Sequence, residues 1–484
     1  MKAAHPKRRR LQRSAALALA LGLVTGCAPD GVGGTGRAPI SASTGTTGSY
    51  DVFVDPGRTE QTMTGLGINA NVHSWKNGQL KPAIERYAVL GPLTWRVIIE
   101  KADWETEQVG DPNIIDAAYY RRIFETPKMQ DLWDTVAYIE SFPGQTVSLS
   151  VMGGVPDWMG GTSILASKEA YWVRMIASLL VYGRTERRLT LNLISPFNES
   201  DWNGIEGPRS DPQQITRLLD SLGHRLDSLG MGDVRFVVPD TSSPEEARTR
   251  YLPAVLANPF VLDKTARIGI HSYDGSAGAV PGFVAKGSAA SKGVWATEFN
   301  ARCDGCDNGA QPSATWDHAQ SMASALLSLI NQGVTGAQLY DGWDGYYEHH
   351  RSMGYWGALK YDGTTGTYVP RRTFDVLSLV LTAVPPGSVH IASSATSSGG
   401  EAAVHVQAFV SADGRVTVVG TNLSGTAAHC RVLVSSAAQL STPTLKVASP
   451  DADGVGEAAT PQVDGNTLLL TVPEGAVFAV TAAR

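Results

Sequence analysis

Residues 146–194 contain a strand–helix–strand pattern, with TVSLSV at 146–151, SKEAYWVRMIASLLVYG at 167–183 and LTLNLI at 189–194. The two outer runs are short and mostly apolar, which is typical of strands that are covered on both faces. The central run places its apolar residues on one helical face and ends at Gly183, a residue suited to stopping a helix. Such a unit indicates a parallel sheet covered by helices.

The same alternation of strand and helix continues from residue 64 to residue 341. The candidate strands are TGLGINA (64–70), WRVIIE (95–100), TVSLSV (146–151), LTLNLI (189–194), VRFVVP (234–239), RIGIHSY (267–273), GVWATE (293–298) and GAQLYD (336–341). Eight such units predict an α/β fold of the (β/α)8 TIM-barrel type. The alternative, a doubly wound open sheet, would place a glycine-rich phosphate loop after the first strand, and TGLGINA lacks that spacing.

The pattern changes after AVPPGS at 383–388, where alternating strands separated by Gly, Asp, Asn and Pro replace the helical segments. About 100 residues of this kind predict a C-terminal all-β sandwich. We therefore divide the chain into a leader (1–26), a tether (27–49), a barrel (50–385) and a sandwich (386–484). The alternating segment YDVFVDP at 50–56 precedes the barrel, and its pairing with the sandwich is an open alternative.

The N-terminus has the features of an export leader. A basic segment, MKAAHPKRRRLQR, is followed by the apolar AALALALGLV, which is too short to span a bilayer. VTGC at 24–27 resembles the lipobox of bacterial lipoproteins, which implies cleavage before Cys27 and lipid attachment to its sulfur. The Gly/Ser/Thr-rich tether predicts a flexible connection between lipid and barrel. We expect an exported protein of the cell envelope, anchored through Cys27; the alternative is a secreted protein with an ordinary signal peptide.

The charge of the chain argues against a nucleic-acid partner. The whole sequence carries a formal charge of −6, and its first 26 residues hold six Lys/Arg and no Asp/Glu, so the remainder carries −12. Proteins that bind phosphate backbones need basic patches instead. We expect a monomer that contacts the membrane through the lipid alone.

Three further cysteines follow the candidate lipid site. Cys303 and Cys306 form CDGC, and an oxidising compartment favours a disulfide between them. A metal half-site and a redox motif are the alternatives, but the sequence has no second Cys/His pair with zinc spacing. Cys430 has no evident partner, and we expect it to be buried.

Two glutamates lie at the ends of predicted strands. Glu199 follows the fourth strand within SPFNES (195–200), and Glu298 ends the seventh strand. Because the carboxyl ends of barrel strands form one mouth, both carboxylates should point into the same cleft. Two carboxyl groups about 5–5.5 Å apart are what retaining cleavage of a glycosidic bond requires.

Several motifs carry a family resemblance. SPFNES and WATEFN look like the strand-4 and strand-7 motifs of clan A glycoside hydrolases. The chain is most similar to glycoside hydrolase family 30 or a close relative, through EQTMTGLGINAN (60–71), VMGGVPDWMG (151–160), IGIHSYDG (268–275) and YVPRRTFDVLSLVLTAVPPGS (368–388). It departs from the usual family pattern at Ser200, where Pro or Ala is common.

The resemblance implies a role for each matching residue. Glu199 would be the acid/base and Glu298 the nucleophile of a retaining glycosidase. The other implied site residues are Asn198 at the sugar 2-hydroxyl, Arg96 as the partner that keeps Glu298 ionised, Tyr273 in contact with the nucleophile, His271 lining the site, and Trp158 and Trp343 as stacking faces. The expected substrate is a β-linked polysaccharide or oligosaccharide, with endo-acting galactanase or glucanase activity preferred.

Other interpretations stay open at this point. The barrel could capture glycans without cutting them, or the sandwich could serve an adhesive role. The loop DGWDGYYEHHRSMGYW (341–356) contains Asp344, Glu348, His349 and His350, which resemble metal ligands, but a substrate-binding loop accounts better for its aromatic content. We expect no metal and no cofactor.

Overall fold

The computed structural model describes residues 48–72, 78–100, 105–272, 277–311, 315–397, 403–435 and 439–484. The predicted leader, Cys27 and nearly all of the tether lie outside these residues. Within the described part of the chain, no helix combines the length and the apolar character needed to cross a membrane.

Eight parallel strands close into a barrel in chain order. With the N-terminal strand β1 at Ser49–Thr62, the barrel strands are β2 (Gly65–Asn71), β3 (Thr94–Glu100), β4 (Thr146–Met152), β5 (Leu193–Ser195), β6 (Arg235–Thr241), β7 (Thr265–His271), β8 (Gly293–Phe299) and β9 (Gly336–Leu339). All eight predicted strands are present, and the predicted TIM-barrel fold is confirmed.

Gly67 in the first barrel strand is required for steric reasons. A Cβ on Gly67 would lie 1.8 Å from the carbonyl oxygen of Thr94, so no larger residue fits where β2 approaches β3. Strands β2 and β3 are buried along their whole length, as expected for strands with barrel interior on one side and helices on the other.

Strand β5 is shorter than the prediction of 189–194. Leu191 adopts a φ of +36°, outside the extended region that a strand needs. Its side chain is buried and would lie only 2.4 Å from a Cβ placed on Gly183. The segment therefore packs against the preceding helix before the strand begins.

Helices cover the outside of the barrel. They are α1 (Lys81–Ala88), α2 (Ala117–Phe124), α3 (Pro127–Glu140), α4 (Glu169–Thr185), α5 (Pro212–Ser228), α6 (Pro244–Glu246), α7 (Leu252–Ala257), α8 (Pro259–Lys264), α9 (Val280–Ala289), α10 (Trp316–Asn331) and α11 (Arg372–Ala383). Between β9 and α11 lie two hairpins, formed by β10 (Gly345–Tyr347) with β11 (Ser352–Gly354) and β12 (Leu359–Asp362) with β13 (Thr367–Pro370). The first hairpin lies within the predicted substrate-binding loop.

The C-terminal residues form the predicted β-sandwich. Its strands are β14 (Val389–Ser397), β15 (Val404–Val410), β16 (Val416–Asn422), β17 (Ala428–Val434), β18 (Ser441–Ser449), β19 (Ala452–Glu457), β20 (Gln462–Asp464), β21 (Thr467–Val472) and β22 (Val477–Ala483). They have their own apolar core, within which Cys430 is a buried free thiol.

Strand β1 belongs to the sandwich rather than to the barrel. It pairs antiparallel with β14 and parallel with β17, so the segment 50–56 lies between two C-terminal strands. The sandwich also packs on the barrel: the indole of Trp316 on α10 donates to the carbonyl of Gly475 at 2.8 Å, and Gln320 donates to the same carbonyl at 2.7 Å. The barrel therefore has a fixed C-terminal support.

Candidate active site

The two glutamates singled out from the sequence lie at the mouth of the barrel. Glu298 is the sixth residue of β8, and Glu199 lies four residues beyond the end of β5. Both line a cleft of about 500 Å³, a size that suits small-molecule and oligosaccharide ligands. The strand-end placement thus brings the two carboxyl groups to one cavity.

His271, the last residue of β7, lies between the two glutamates. Its Nδ1 is 2.7 Å from Oε1 of Glu199 and 3.5 Å from Oε2 of Glu298. One carboxylate oxygen of each glutamate and one ring nitrogen of His271 all lie within 4.8 Å of one another. A separation this short between the two carboxyl groups matches a retaining pair. In inverting enzymes the two groups are about 6.5–9.5 Å apart, which leaves room for a water.

Arg96 projects from β3 into the centre of this group. Its guanidinium lies 2.5 Å from Oε1 of Glu298 and 2.9 Å from Oδ2 of Asp240. It also donates to Asn69 Oδ1 at 2.7 Å and to Asn198 Oδ1 at 2.6 Å. Because its side chain is only 1% exposed, these charge-assisted bonds hold it rigidly against Glu298.

Asp240 is a member of the site that the sequence reading missed. It lies in β6, is fully buried, and accepts hydrogen bonds from Arg96 and from the hydroxyl of Ser195 at 2.6 Å. Burial opposes its ionisation, yet Arg96 and His271 hold the pKa of Asp240 well below its ordinary value. The acid directly after VRFVVP, at the carboxyl end of a predicted strand, was the available signal.

The charges of this cluster distinguish the two glutamates. Burial raises the pKa of Glu199 to about 7, against the hydrogen bond from His271 that lowers it. Burial also disfavours a charge on His271, but Glu298, Asp240 and Glu199 raise the pKa of its imidazole to about 10. With Arg96 and His271 cationic and Asp240 ionised, one further negative charge makes the cluster neutral.

That one charge falls on Glu298. Burial raises the pKa of the Glu298 carboxyl, whereas His271 and Arg96 lower it, and Arg96 contacts Glu298 rather than Glu199. Ionising Glu199 as well would leave the buried cluster with a net negative charge. The arrangement therefore keeps a carboxylate at Glu298 and a proton on Glu199 near neutral pH.

The backbone of the cluster is strained. Glu199 has a φ of +41° and Asp240 a φ of +58°, a region that non-glycine residues rarely adopt. The two strained residues support each other, because the amide of Glu199 donates to the carbonyl of Asp240 at 2.9 Å. Such strain persists where the surroundings fix it and clusters at functional sites.

Asn198 is held from both sides. Its Oδ1 accepts from Arg96, and its Nδ2 donates to the carbonyl of Glu206 at 3.0 Å. It lines the cleft, so the second Nδ2 hydrogen is the group that could meet a substrate hydroxyl. Tyr273, the remaining predicted neighbour of the nucleophile, lies outside the described residues.

The two predicted stacking tryptophans are not in the cleft. Trp343 is fully buried, donates to the carbonyl of Asn71 at 2.8 Å and packs against Trp95, so the expectation of a sugar-stacking face there is wrong. Trp158 donates to the carbonyl of Glu105 and packs edge-on against Tyr171, and it is not among the cleft-lining residues. Both rings pack against other residues of the protein instead of facing the cleft.

Other aromatic residues line the cleft instead. Trp202, 54% exposed, follows Glu199 by three residues, and Trp356, between β11 and β12, also lines the cleft. The Cys303–Cys306 disulfide is formed, and Cys303 lines the same cleft. The amide of Tyr355 donates to the carbonyl of Cys306 at 3.1 Å, so the disulfide loop is joined to the loop that carries Trp356.

Comparisons with known proteins agree with this architecture. No family model and no curated protein matches the sequence. Among solved structures, a glycoside hydrolase family 30 subfamily 8 xylanase from Clostridium acetobutylicum is 15% identical, with a TM-score of 0.69 over 90% of this chain and 100% of that chain. An endo-β-1,6-glucanase is 14% identical, with a TM-score of 0.66 over 92% and 96% of the two chains.

A glycoside hydrolase family 51 arabinofuranosidase from Xanthomonas axonopodis pv. citri is 13% identical, with a TM-score of 0.60 over 90% of this chain and 99% of that chain. At such low identities these likenesses show the fold. They confirm a barrel with a β-sandwich and the predicted resemblance to the family 30 architecture.

Proposed function

We propose that this protein is a retaining glycoside hydrolase in which Glu298 is the nucleophile and Glu199 the acid/base. The observation that carries the proposal is the geometry of the two carboxyl groups: one oxygen of Glu199 lies within 4.8 Å of one oxygen of Glu298 at the mouth of a barrel. Their different partners, Arg96 for Glu298 and His271 for Glu199, give them the different proton affinities that the two roles demand.

The reaction proceeds in two displacements. The Glu298 carboxylate attacks the anomeric carbon and forms a glycosyl ester, while Glu199 gives its proton to the departing glycosidic oxygen. Glu199, now ionised, takes a proton from water, and the resulting hydroxide attacks the anomeric carbon and releases Glu298 as a carboxylate. Glu199 ends protonated, so the cycle closes without a co-reactant.

The roles cannot be exchanged without cost. A nucleophile must be ionised before substrate binds, and only Glu298 has a permanently charged guanidinium within 2.5 Å. An acid must carry a proton, and burial raises the pKa of Glu199 to about 7. Arg96 and Asp240 are positioning residues, since Arg96 orients Glu298 and Asp240 anchors Arg96.

The proposed substrate is a β-linked polysaccharide or oligosaccharide. Besides the catalytic pair, the cleft is lined by Trp202 and Trp356, whose rings offer stacking faces for further sugar subsites. The names of the structural neighbours, a xylanase and an endo-β-1,6-glucanase, support the same substrate class and endo action. Galactan and glucan remain the preferred backbones, by analogy with the family that the sequence resembles.

The proposed location is the bacterial envelope, with the protein exported and lipid-anchored through Cys27. The basic and apolar leader and the VTGC motif support this part. Expression with a radiolabelled fatty acid should label the wild-type chain, and Cys27→Ser should abolish the label. Equal labelling of both chains would contradict the anchor and leave the catalytic proposal untouched.

A panel of purified β-glucans, galactans, xylans and mannans tests the activity. Wild-type protein should release reducing ends from at least one glycan, and Glu298→Ala should release none while still binding that glycan. Binding without release by the wild-type protein would instead favour a surface glycan-binding protein, the alternative raised by the sequence.

A further inference from the structure

The wall of the cleft carries a second group of titratable side chains, which we call the wall triad: Glu206, His349 and His350. Glu206 lies in the segment between β5 and α5, whereas the histidines lie between β10 and β11. Oε2 of Glu206 is 3.0 Å from Nε2 of His349, and Oε1 is 3.1 Å from Nε2 of His350. Three side chains from two distant loops thus converge on one point.

We propose that the wall triad binds a divalent transition metal, with zinc the best match. Two imidazole nitrogens and one carboxylate are a known zinc ligand set that leaves a position open. One ligand atom from each of the three residues lies within 4.8 Å of the others. Zinc bonds of about 2.0–2.2 Å in tetrahedral geometry separate neighbouring ligand atoms by roughly 3.3–3.5 Å. The two distances between Glu206 and the histidines are therefore within a few tenths of an ångström of that spacing.

A second carboxylate lies next to the ring of His349. Nδ1 of His349 is 3.1 Å from Oε1 of Glu100, at the end of β3, in a close contact that is not an aligned hydrogen bond. Glu100 is itself held by the backbone amides of Glu348 and His349, at 3.1 Å and 2.8 Å. A carboxylate behind a histidine ligand fixes the ring and raises its basicity, which is the usual outer shell of a zinc histidine.

The position of the wall triad directs the open coordination sites to the cleft. Glu206 and His350 line the cleft, whereas the side chain of His349 is only 3% exposed and lies behind them. A metal held here would complete its shell with water or with an oxygen of a bound glycan. It would also join the segment after Glu199 to the hairpin that follows β9.

Four other acidic residues near the cleft are less suited to binding a metal, because they are paired with cations or lie next to one. Asp344 is paired with Arg371 at 2.7 Å, and Glu348 is paired with Lys128. Glu298 and Glu199 converge on His271 in a similar way, but Arg96 contacts Glu298 and would repel a metal. The ion partners of Glu206, in contrast, are two histidines, and a histidine can release its proton when a metal binds.

Metal titration of the full chain tests the proposal. Protein stripped with a chelator and dialysed should bind one zinc per chain by calorimetry and elemental analysis. His350→Ala and Glu206→Gln should each weaken zinc binding by at least about 10-fold, since even outer-shell changes cost that much. His224→Ala is the matched control, because the side chain of His224 is 63% exposed and lies on helix α5 outside the wall triad. It should bind zinc like the wild type.

Cobalt supplies a second readout that does not depend on stability. Co²⁺ added to the wild-type chain should give visible d–d bands, and His350→Ala and Glu206→Gln should lose them while their circular dichroism stays native. Equal zinc affinity in wild type, His350→Ala and Glu206→Gln, or no zinc binding by the wild type, would overturn the proposal. Glu298→Ala should keep the metal, so this outcome is separate from that of the proposed hydrolase.

Discussion

Arg174 and Arg96 are both buried against carboxylates, and they differ in what surrounds them. Arg174 on α4 contacts Glu105 at 3.2 Å, with their side chains 3% and 0% exposed. Its Nη1 donates to the carbonyls of Val109 and Asp111, and Glu105 accepts from Tyr120. This pair holds one cation and one carboxylate, with its hydrogen bonds used inside the protein.

Arg96 is as buried as Arg174, but the numbers of carboxyl groups and cations around it differ. Arg96 and His271 face three carboxyl groups, and two of these, Glu199 and Glu298, also line an open cleft. The comparison teaches that a buried ion pair alone indicates only structure. A surplus of carboxyl groups over cations, next to space for a ligand, indicates chemistry.

The largest expected effect is that of Glu298→Ala on turnover. Loss of the nucleophile should lower kcat by at least about 10⁴-fold, since Glu199 is needed as the acid and no attacking carboxylate is left beside Arg96 in the cleft. Steady-state kinetics on the glycan identified by the panel measures this. Glu105→Gln is the matched control and should keep its kcat; comparable losses in both variants would remove the distinction between the two clusters.

Glu199→Ala should affect substrates unequally. On a natural glycan, loss of the acid should cost about 10²–10⁴-fold in kcat. An aryl glycoside with an acidic leaving group needs little protonation, so its first step should suffer far less. Rates for both substrates in the same variant check this, and an equal loss on the two would argue against the assigned role.

The pH dependence should follow the proton on Glu199. Because burial raises the pKa of this carboxyl to about 7, the required protonated form persists to neutral pH and is lost above it. The value of kcat/KM should therefore fall about tenfold per pH unit on the alkaline side of this pKa. Glu199→Ala with the aryl substrate should lack that limb, and an unchanged alkaline limb would assign it to another group.

Disrupting the Arg174–Glu105 pair should lower the stability of the protein rather than its turnover. Glu105→Gln leaves a buried guanidinium without its counter-charge and should lower the free energy of unfolding by about 3 kcal/mol. Urea unfolding of Glu105→Gln and Glu298→Ala side by side measures this. A stable, inactive Glu105→Gln variant would show that the two clusters had been interpreted the wrong way round.

The fold could be predicted from the sequence because its signals are local. Each buried strand is a short apolar run, and each helix repeats its apolar residues on one face, so the eight units stand out without any knowledge of contacts. The start of β5 was the exception. There the positive φ of Leu191 and its docking onto α4 override an apolar pattern that suits a strand.

From local sequence patterns, the site residues could be predicted only where they lie at the end of a predicted strand. Glu298, His271 and Glu199 lie at or just beyond the carboxyl ends of barrel strands, and the structure brings them together. Arg96 is the third residue of β3, and only the family resemblance singled it out. The burial of Trp343 depends on Trp95 and Tyr87, which no local pattern connects to it. Glu206 and His349 are 143 residues apart, and loop paths alone decide that they meet.

The stereochemistry of the first product tests the central claim most directly. Hydrolysis of the identified glycan, or of a β-aryl glycoside, should be followed by proton NMR before mutarotation proceeds. Two carboxyl groups acting by double displacement predict that the β-anomer appears first and the α-anomer only later. Initial appearance of the α-anomer would contradict a covalent intermediate on Glu298 and with it the proposed pairing of the two glutamates.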